Sequence, residues 1–200
     1  MKKINEEIKK AVEILKAGGV VVFPTETAYG LAADATNEKA VRRVFAIKGR
    51  EGEKTFPMIA ASSKMVEKYA ILSPNIKKIV KKYWPGPLTV VAPVRIVIVG
   101  ANGHSSIRSG TIRNGTVAIR VSSNPIAEEL SRRLGRPIVS TSANLSGGPA
   151  CYSVRAVKNQ LGDKPDFYFD VGRLPKRKPS TIITEKNGEV IILRVGSIKL

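Results

Sequence analysis

Residues 20–50 read VVVFPTETAYGLAADATNEKAVRRVFAIKGR. The stretch decides the class of fold. Val20 to Phe23 form a short apolar run, the signature of a buried strand. Asn37 then offers a capping side chain, and Ala40, Val41, Val44 and Phe45 recur at helical spacing over 38–47. The helix runs into Lys48-Gly49-Arg50. Strand, polar segment, helix and paired cations within so few residues mark an α/β unit with something to bind at its ends.

Working outward, the same alternation continues. Ile4, Ile8, Ala11, Val12 and Leu15 predict an N-terminal helix stopped by Gly18-Gly19. PMIAAS at 57–62 reads as a buried strand, and Ser62 or Ser63 caps a helix through Tyr69. Ser73-Pro74 opens a helix that ends at Pro85, a capping hydroxyl followed by proline at the first position. LTVVA at 88–92 and TVAIRV at 116–121 read as strands, with 102–115 between them as loop or hairpin. Asn124-Pro125 starts another helix, stopped near Gly135. PIVSTSAN at 137–144 is a strand running into a hydroxyl-rich turn. Ser153 caps a helix to Leu161, and FYFDVG is strand-like. TIITEKNGEVIILRVG places two β-rich runs around Asn187-Gly188, the strongest hairpin signal in the chain. The expectation is one α/β domain over 1–200 with antiparallel pieces.

Composition narrows the partners. The chain has 200 residues, 34 Lys+Arg against 16 Asp+Glu, and a net charge of +18. Such a balance attracts nucleotides, RNA or acidic surfaces. One cysteine and one histidine argue against a structural zinc site or a disulfide framework. Cys151 reads as a packed or loop thiol, and His104, in a glycine-bearing setting, as a solvated loop residue. No apolar run is long enough for a membrane span. MKKINEEIKK lacks the apolar core of a signal peptide, so a cytoplasmic protein is expected. There is no P-loop, no GxGxxG after a strand and no HExxH.

Three clusters carry chemistry instead. Lys48-Gly49-Arg50 closes a helix, where cations suit the dipole, but a point charge and a planar fork around a glycine also suit phosphate oxygens. Ser140-Thr141-Ser142-Ala143-Asn144 gathers hydrogen-bonding side chains at the end of a strand, where α/β folds bind ligands. Pro179-Ser180-Thr181 precedes an apolar strand, and Arg194 ends the hairpin. Arg120 stands inside a strand of Val and Ile. Its burial demands an anion, either a carboxylate-bearing substrate or an Asp or Glu of the protein. The basic connector RLPKRKPS at 173–180 reads as an exposed, mobile loop.

These patches resemble a known family. PTET with YGL, KGR, YWPGPLT, VAIRV, STSANLSG, and PST followed by ILRVG occur in the order seen in threonylcarbamoyl-AMP synthases of the YrdC type. The resemblance spans roughly residues 8–198. It implies a single α/β domain around a twisted mixed sheet flanked by helices, with a positively charged cavity. It implies a nucleotidyltransferase joining L-threonine, bicarbonate and ATP into threonylcarbamoyl-AMP and pyrophosphate. A partner transferase then passes the group to adenosine beside the tRNA anticodon. The resemblance assigns Thr27, Arg120, Ser140 and Ser180 to threonine. It assigns Lys48, Arg50, Thr116, Ser142, Asn144 and Arg194 to ATP, with Lys48 and Arg50 catalytic and Mg²⁺ arriving through ATP. Lys54 stands where the family often has an asparagine at ATP, Ala28 where valine is common, and Ala150 where serine is common. Longer relatives carry a second C-terminal domain. Two other readings stay open: a tRNA- or double-stranded-RNA-binding module without turnover, and carbamoyl transfer like that of hydrogenase-maturation proteins.

Overall fold

The computed structural model describes residues 2–49, 55–95 and 109–200. Arg50, Lys54 and His104, singled out above, lie outside the described residues.

Two amphipathic helices form one outer layer. Helix α1 (Lys2–Lys16) buries Ile8, Ala11, Val12 and Leu15, the stripe read from the sequence. It packs with α5 (Pro125–Leu134), whose Ile126, Ala127, Leu130 and Leu134 join the same apolar cluster. Asn124 accepts hydrogen bonds from the backbone N–H of Ile126 and Ala127, and Pro125 fills the first helical turn. Gly135 ends the helix in the left-handed region that favours glycine. Each fully buried Leu or Ile in this layer contributes roughly 1.5–3 kcal/mol of transfer free energy.

The strands divide between two sheets rather than one. The smaller holds β1 (Val21–Pro24), β2 (Tyr29–Ala32), β8 (Thr141–Ser142) and β9 (Phe167–Tyr168) in the order β8-β2-β1-β9. The larger holds β3 (Met58–Ala60), β4 (Leu88–Pro93), β6 (Thr116–Val121), β7 (Ile138–Val139), β10 (Thr181–Lys186) and β11 (Glu189–Arg194). Its order is β11-β10-β4-β6-β3-β7, with β5 (Ile112–Arg113) paired to β6. Both are mixed: β1 and β9 are parallel, as are β3 and β6, and β4 and β10. Alternation along β1 explains how it serves two cores. Val21 and Phe23 face α1 and α5, while Val20 and Val22 face the main core on the other side.

The remaining helices cap as the sequence predicts. Asn37 accepts from Ala40 N–H to start α2 (Glu38–Lys48), Ser62 starts α3 (Ser63–Tyr69), Ser73 starts α4 (Pro74–Tyr83) and Ser153 starts α6 (Val154–Leu161). Helix α2 runs one residue past the expected end, to Lys48, and Gly49 (φ 58, ψ 43) turns the chain. The 181–194 hairpin is present, with Asn187 and Gly188 at positive φ.

Two elements differ from the reading of the sequence. YGLA forms strand β2, the return arm of a hairpin whose turn is the PTET segment. PIVSTSAN is not one strand. Its first half, β7, pairs with β3, and its second, β8, pairs with β2 in the other sheet. Ser140 sits at the crossover, with its N–H on the Pro57 carbonyl at 2.8 Å. The chain therefore changes sheets at a serine, and the cleft between the sheets opens there.

Candidate active site

The cleft holds a cavity of about 420 Å³ lined from both sheets. That size suits a small-molecule site. From the smaller sheet come the PTET turn, Gly30, Thr141 and Ser142; from the larger come Thr89, Arg120 and Arg194.

The PTET turn is built by Thr25. Its buried hydroxyl donates to the Ala28 carbonyl at 2.7 Å and accepts from the N–H groups of Thr27 and Ala28. It also lies 3.0 Å from the Thr27 hydroxyl, which holds Thr27 at the cavity wall. Gly30 lines the wall too. A Cβ there would come within 3.1 Å of Phe23 and of the Thr141 carbonyl, so the hairpin and β8 approach as closely as glycine permits.

Arg120 points from β6 into the cavity and forms a buried ion pair with Glu26 of the turn. Ser122 Oγ donates to the same carboxylate. Burial first, then the charge of Arg194, pull the Arg120 guanidinium down to about 10. It stays protonated at neutral pH. Of the two anions the sequence allowed for, a carboxylate of the protein is the one in place.

Arg194, at the end of β11, donates from Nε and Nη2 to the Ser180 carbonyl at 3.0 and 2.9 Å, and from Nη2 to Ser180 Oγ at 2.9 Å. Burial lowers its pKa. Ser180 Oγ lies 2.9 Å from Thr89 Oγ1. Arg194, Ser180 and Thr89 thus form one hydrogen-bonded wall.

Lys48 takes a different position. Its ammonium is buried at the end of α2 and donates to the carbonyls of Ser142 and Asn144 at 2.6 and 2.8 Å, with Asn144 Oδ1 at 3.4 Å. Asn144 Nδ2 in turn donates to the carbonyls of Leu145 and Gly148, both at 2.7 Å. The lysine and the asparagine together shape the loop behind Ser142. Neither is among the described residues that line the cavity. Nor is Thr116, whose Oγ1 donates to the Arg113 carbonyl in the β5–β6 hairpin.

The cavity therefore brings together Thr27, Arg120, Ser140, Ser142, Ser180 and Arg194 of the residues singled out in the sequence. It adds Thr89 and Tyr152, which were not, and Thr25 and Arg177, which the sequence offered only as parts of the PTET motif and of the basic connector. Thr89 is a polar group in an apolar strand, but threonine is common in strands and carries no charge, so it does not stand out as Arg120 does. Arg177 belongs to the basic connector read as exposed. Among the described residues the lining includes three arginines and no carboxylate, so it suits anionic ligands. No group of three or more His, Cys, Asp or Glu gathers as a metal site among those residues. Nor is any described helix long and apolar enough to cross a membrane.

Known proteins share this sequence pattern and fold. The Sua5/YciO/YrdC family model, described as "Telomere recombination", matches residues 13–196. A Vibrio cholerae protein named threonylcarbamoyl-AMP synthase is 37% identical over 190 residues, covering 93% of this chain and 96% of its own. The crystal structure of P. abyssi Sua5 complexed with L-threonine superposes with a TM-score of 0.84 at 35% identity, covering 94% of this chain. The present chain spans about half (54%) of that longer one. E. coli YciO superposes at 0.78 with 27% identity, covering 94% and 88% of the two chains. On the match of the family model and of these relatives across nearly its whole length, the chain belongs to the Sua5/YciO/YrdC family.

Proposed function

We propose that this protein is a threonylcarbamoyl-AMP synthase, using L-threonine, bicarbonate and ATP. One observation carries the reading: Thr27, Arg120, Ser140 and Ser180 come from four separate segments and line a single cavity. These are the residues the resemblance assigns to threonine. The naming of the V. cholerae relative and the threonine complex of P. abyssi Sua5 support it.

The chemistry needs no protein nucleophile. The threonine amine adds to bicarbonate-derived CO₂ and loses a proton, giving a carbamate. A carbamate oxygen then forms a bond to the α-phosphorus of ATP. The bond from that phosphorus to the bridging oxygen breaks, and pyrophosphate leaves with the electron pair. The protein aligns the reactants and screens charge, and alignment alone can supply ~7–11 kcal/mol. Arg120, held by Glu26, offers its guanidinium to the threonine carboxylate, with the hydroxyls of Thr27, Ser140 and Ser180 around it. Ser142, with Asn144 and Lys48 behind it, and Arg194 serve the nucleotide, together with Thr116, Arg50 and Lys54. With no carboxylate among the described lining residues, Mg²⁺ would enter as the counter-ion of ATP rather than on a protein site.

The product serves modification of adenosine beside the tRNA anticodon through a partner transferase, and a cytoplasmic setting goes with it. The test is mass detection of threonylcarbamoyl-AMP after mixing the protein with ATP, threonine and bicarbonate. Pyrophosphate release that does not depend on both threonine and bicarbonate would refute the reading.

A further inference from the structure

The connector 173–180, RLPKRKPS, spans the cavity from one sheet to the other. Its first end is pinned near the smaller sheet. Tyr29 Oη donates to the Gly172 carbonyl at 2.8 Å and accepts from Val171 N–H at 3.1 Å, and Leu174 N–H donates to the Tyr152 carbonyl at 2.8 Å. Its second end is pinned at the larger sheet. Ser197 donates from Oγ to the Lys178 carbonyl at 2.6 Å and from N–H to the Pro179 carbonyl at 2.9 Å, just before β10. Between the pins lie Pro175, Lys176 and Arg177, and of these Arg177 lines the cavity.

The three lining arginines differ in their partners. Arg120 is matched by Glu26, and Arg194 is engaged by Ser180. Arg177 is exposed and makes no hydrogen bond or ion pair with any described residue. An arginine aimed at a carboxylate-free cavity, on a strap fixed at both ends, has its planar fork open to a ligand oxygen pair. Arg120 is buried at depth, which suits the single charge of an amino-acid carboxylate. Arg177 stands at the solvent side, which suits a polyphosphate that must later depart into water.

We infer that Arg177 is a phosphate-binding residue of this site, gripping the β- and γ-phosphates of the nucleotide and the pyrophosphate that leaves. The inference rests on the synthase reading for the identity of the nucleotide. Its role is a charge-assisted, two-point contact made at the mouth. Because the side chain holds no part of the described fold, removing it leaves the strap's backbone pins in place.

The experiment uses the full chain as wild type, Arg177→Ala, Arg177→Lys and Lys176→Ala. ATP and threonine are titrated separately in a pyrophosphate-release assay, and inorganic pyrophosphate binding is followed by calorimetry. Arg177→Ala is expected to weaken pyrophosphate binding and raise the KM for ATP by about 10–100-fold. The KM for threonine stays unchanged. Arg177→Lys recovers part of the loss, and Lys176→Ala matches wild type. Unchanged pyrophosphate binding and ATP KM in Arg177→Ala would overturn the inference, as would a rise in the threonine KM alone. Wild-type protein that binds pyrophosphate through Arg177 but makes no threonylcarbamoyl-AMP would sink the proposed function and leave the phosphate contact standing.

Discussion

Arg120 and Glu26 meet as a buried ion pair, with side chains only 7% and 8% exposed, between the central strand β6 and the PTET turn. The pair ties the larger sheet to the smaller one across the cavity. It also fixes one side of the guanidinium, at the wall of the cavity. Ser122 Oγ donates to the other oxygen of the same carboxylate.

Glu26→Gln keeps the shape and removes the counter-charge. A buried charge that loses its partner costs about 3–5 kcal/mol. Urea unfolding is expected to show a loss of that order, and the KM for threonine is expected to rise more than that for ATP. Equal stability of the variant and wild type would mean that Arg120 finds its counter-charge elsewhere.

Lys48 acts through the loop it anchors. Lys48→Ala leaves the carbonyls of Ser142 and Asn144 without their ammonium, so the wall around Ser142 loosens. Pyrophosphate release is expected to fall roughly 10²-fold, the cost of a misplacement of about 1 Å in the positioning of reactants. Lys48→Arg is not expected to rescue it, because a planar fork does not place three donors on converging carbonyls as an ammonium does. Full rescue by arginine would show that charge alone matters at this position.

Much of this was legible in the sequence, for physical reasons that differ by element. Asn37, Ser62, Ser73-Pro74, Asn124-Pro125 and Ser153 announce helix starts locally, because a cap is made within one turn. Strand β2 was not legible, since YGLA is short, contains glycine and lies inside a polar motif. Its strand character comes from pairing with β1 and β8. The split of PIVSTSAN between two sheets is likewise a tertiary fact. At the site, Arg120 announced itself as a charge among Val and Ile, but its partner Glu26 lies 94 positions away in sequence, and nothing local couples them. Thr89 was hidden because threonine is also a good strand former. Arg177 was hidden because only the pinned ends of its connector turn it toward the cavity.

Away from the site, Glu129 on α5 is held down to about 2. The hydrogen bond from Arg132 is the main cause, with burial opposing and Arg133 adding to the effect. A lowered carboxyl pKa stabilises the fold where the group is ionised in both states. That contribution is complete above the unfolded value of ~4.3 and is lost as pH falls through about 2. Wild type is therefore expected to lose its advantage over Glu129→Gln between about pH 5 and pH 2, with no change in the difference above. The effect stays under about 1 kcal/mol because Arg132 is open to solvent. Urea unfolding at several pH values measures it, and a pH-independent difference would count against the pairing.

The hydroxyl relay at the cavity wall gives the most selective test of which substrate sits there. Thr89 Oγ1 and Ser180 Oγ share a hydrogen bond, and Arg194 donates to the same serine oxygen. Thr89→Val preserves the branched shape and the strand, but it deprives Ser180 of the partner that sets its hydroxyl rotation. A neutral hydrogen bond of this kind is worth about 0.5–1.5 kcal/mol, so the KM for threonine is expected to rise about 2–10-fold. The maximal rate and the KM for ATP should hold, because Arg194 keeps its two bonds to the Ser180 carbonyl. If the KM for ATP rises and that for threonine does not, Ser180 belongs to the nucleotide side of the cavity and the assignment of that wall must be reversed.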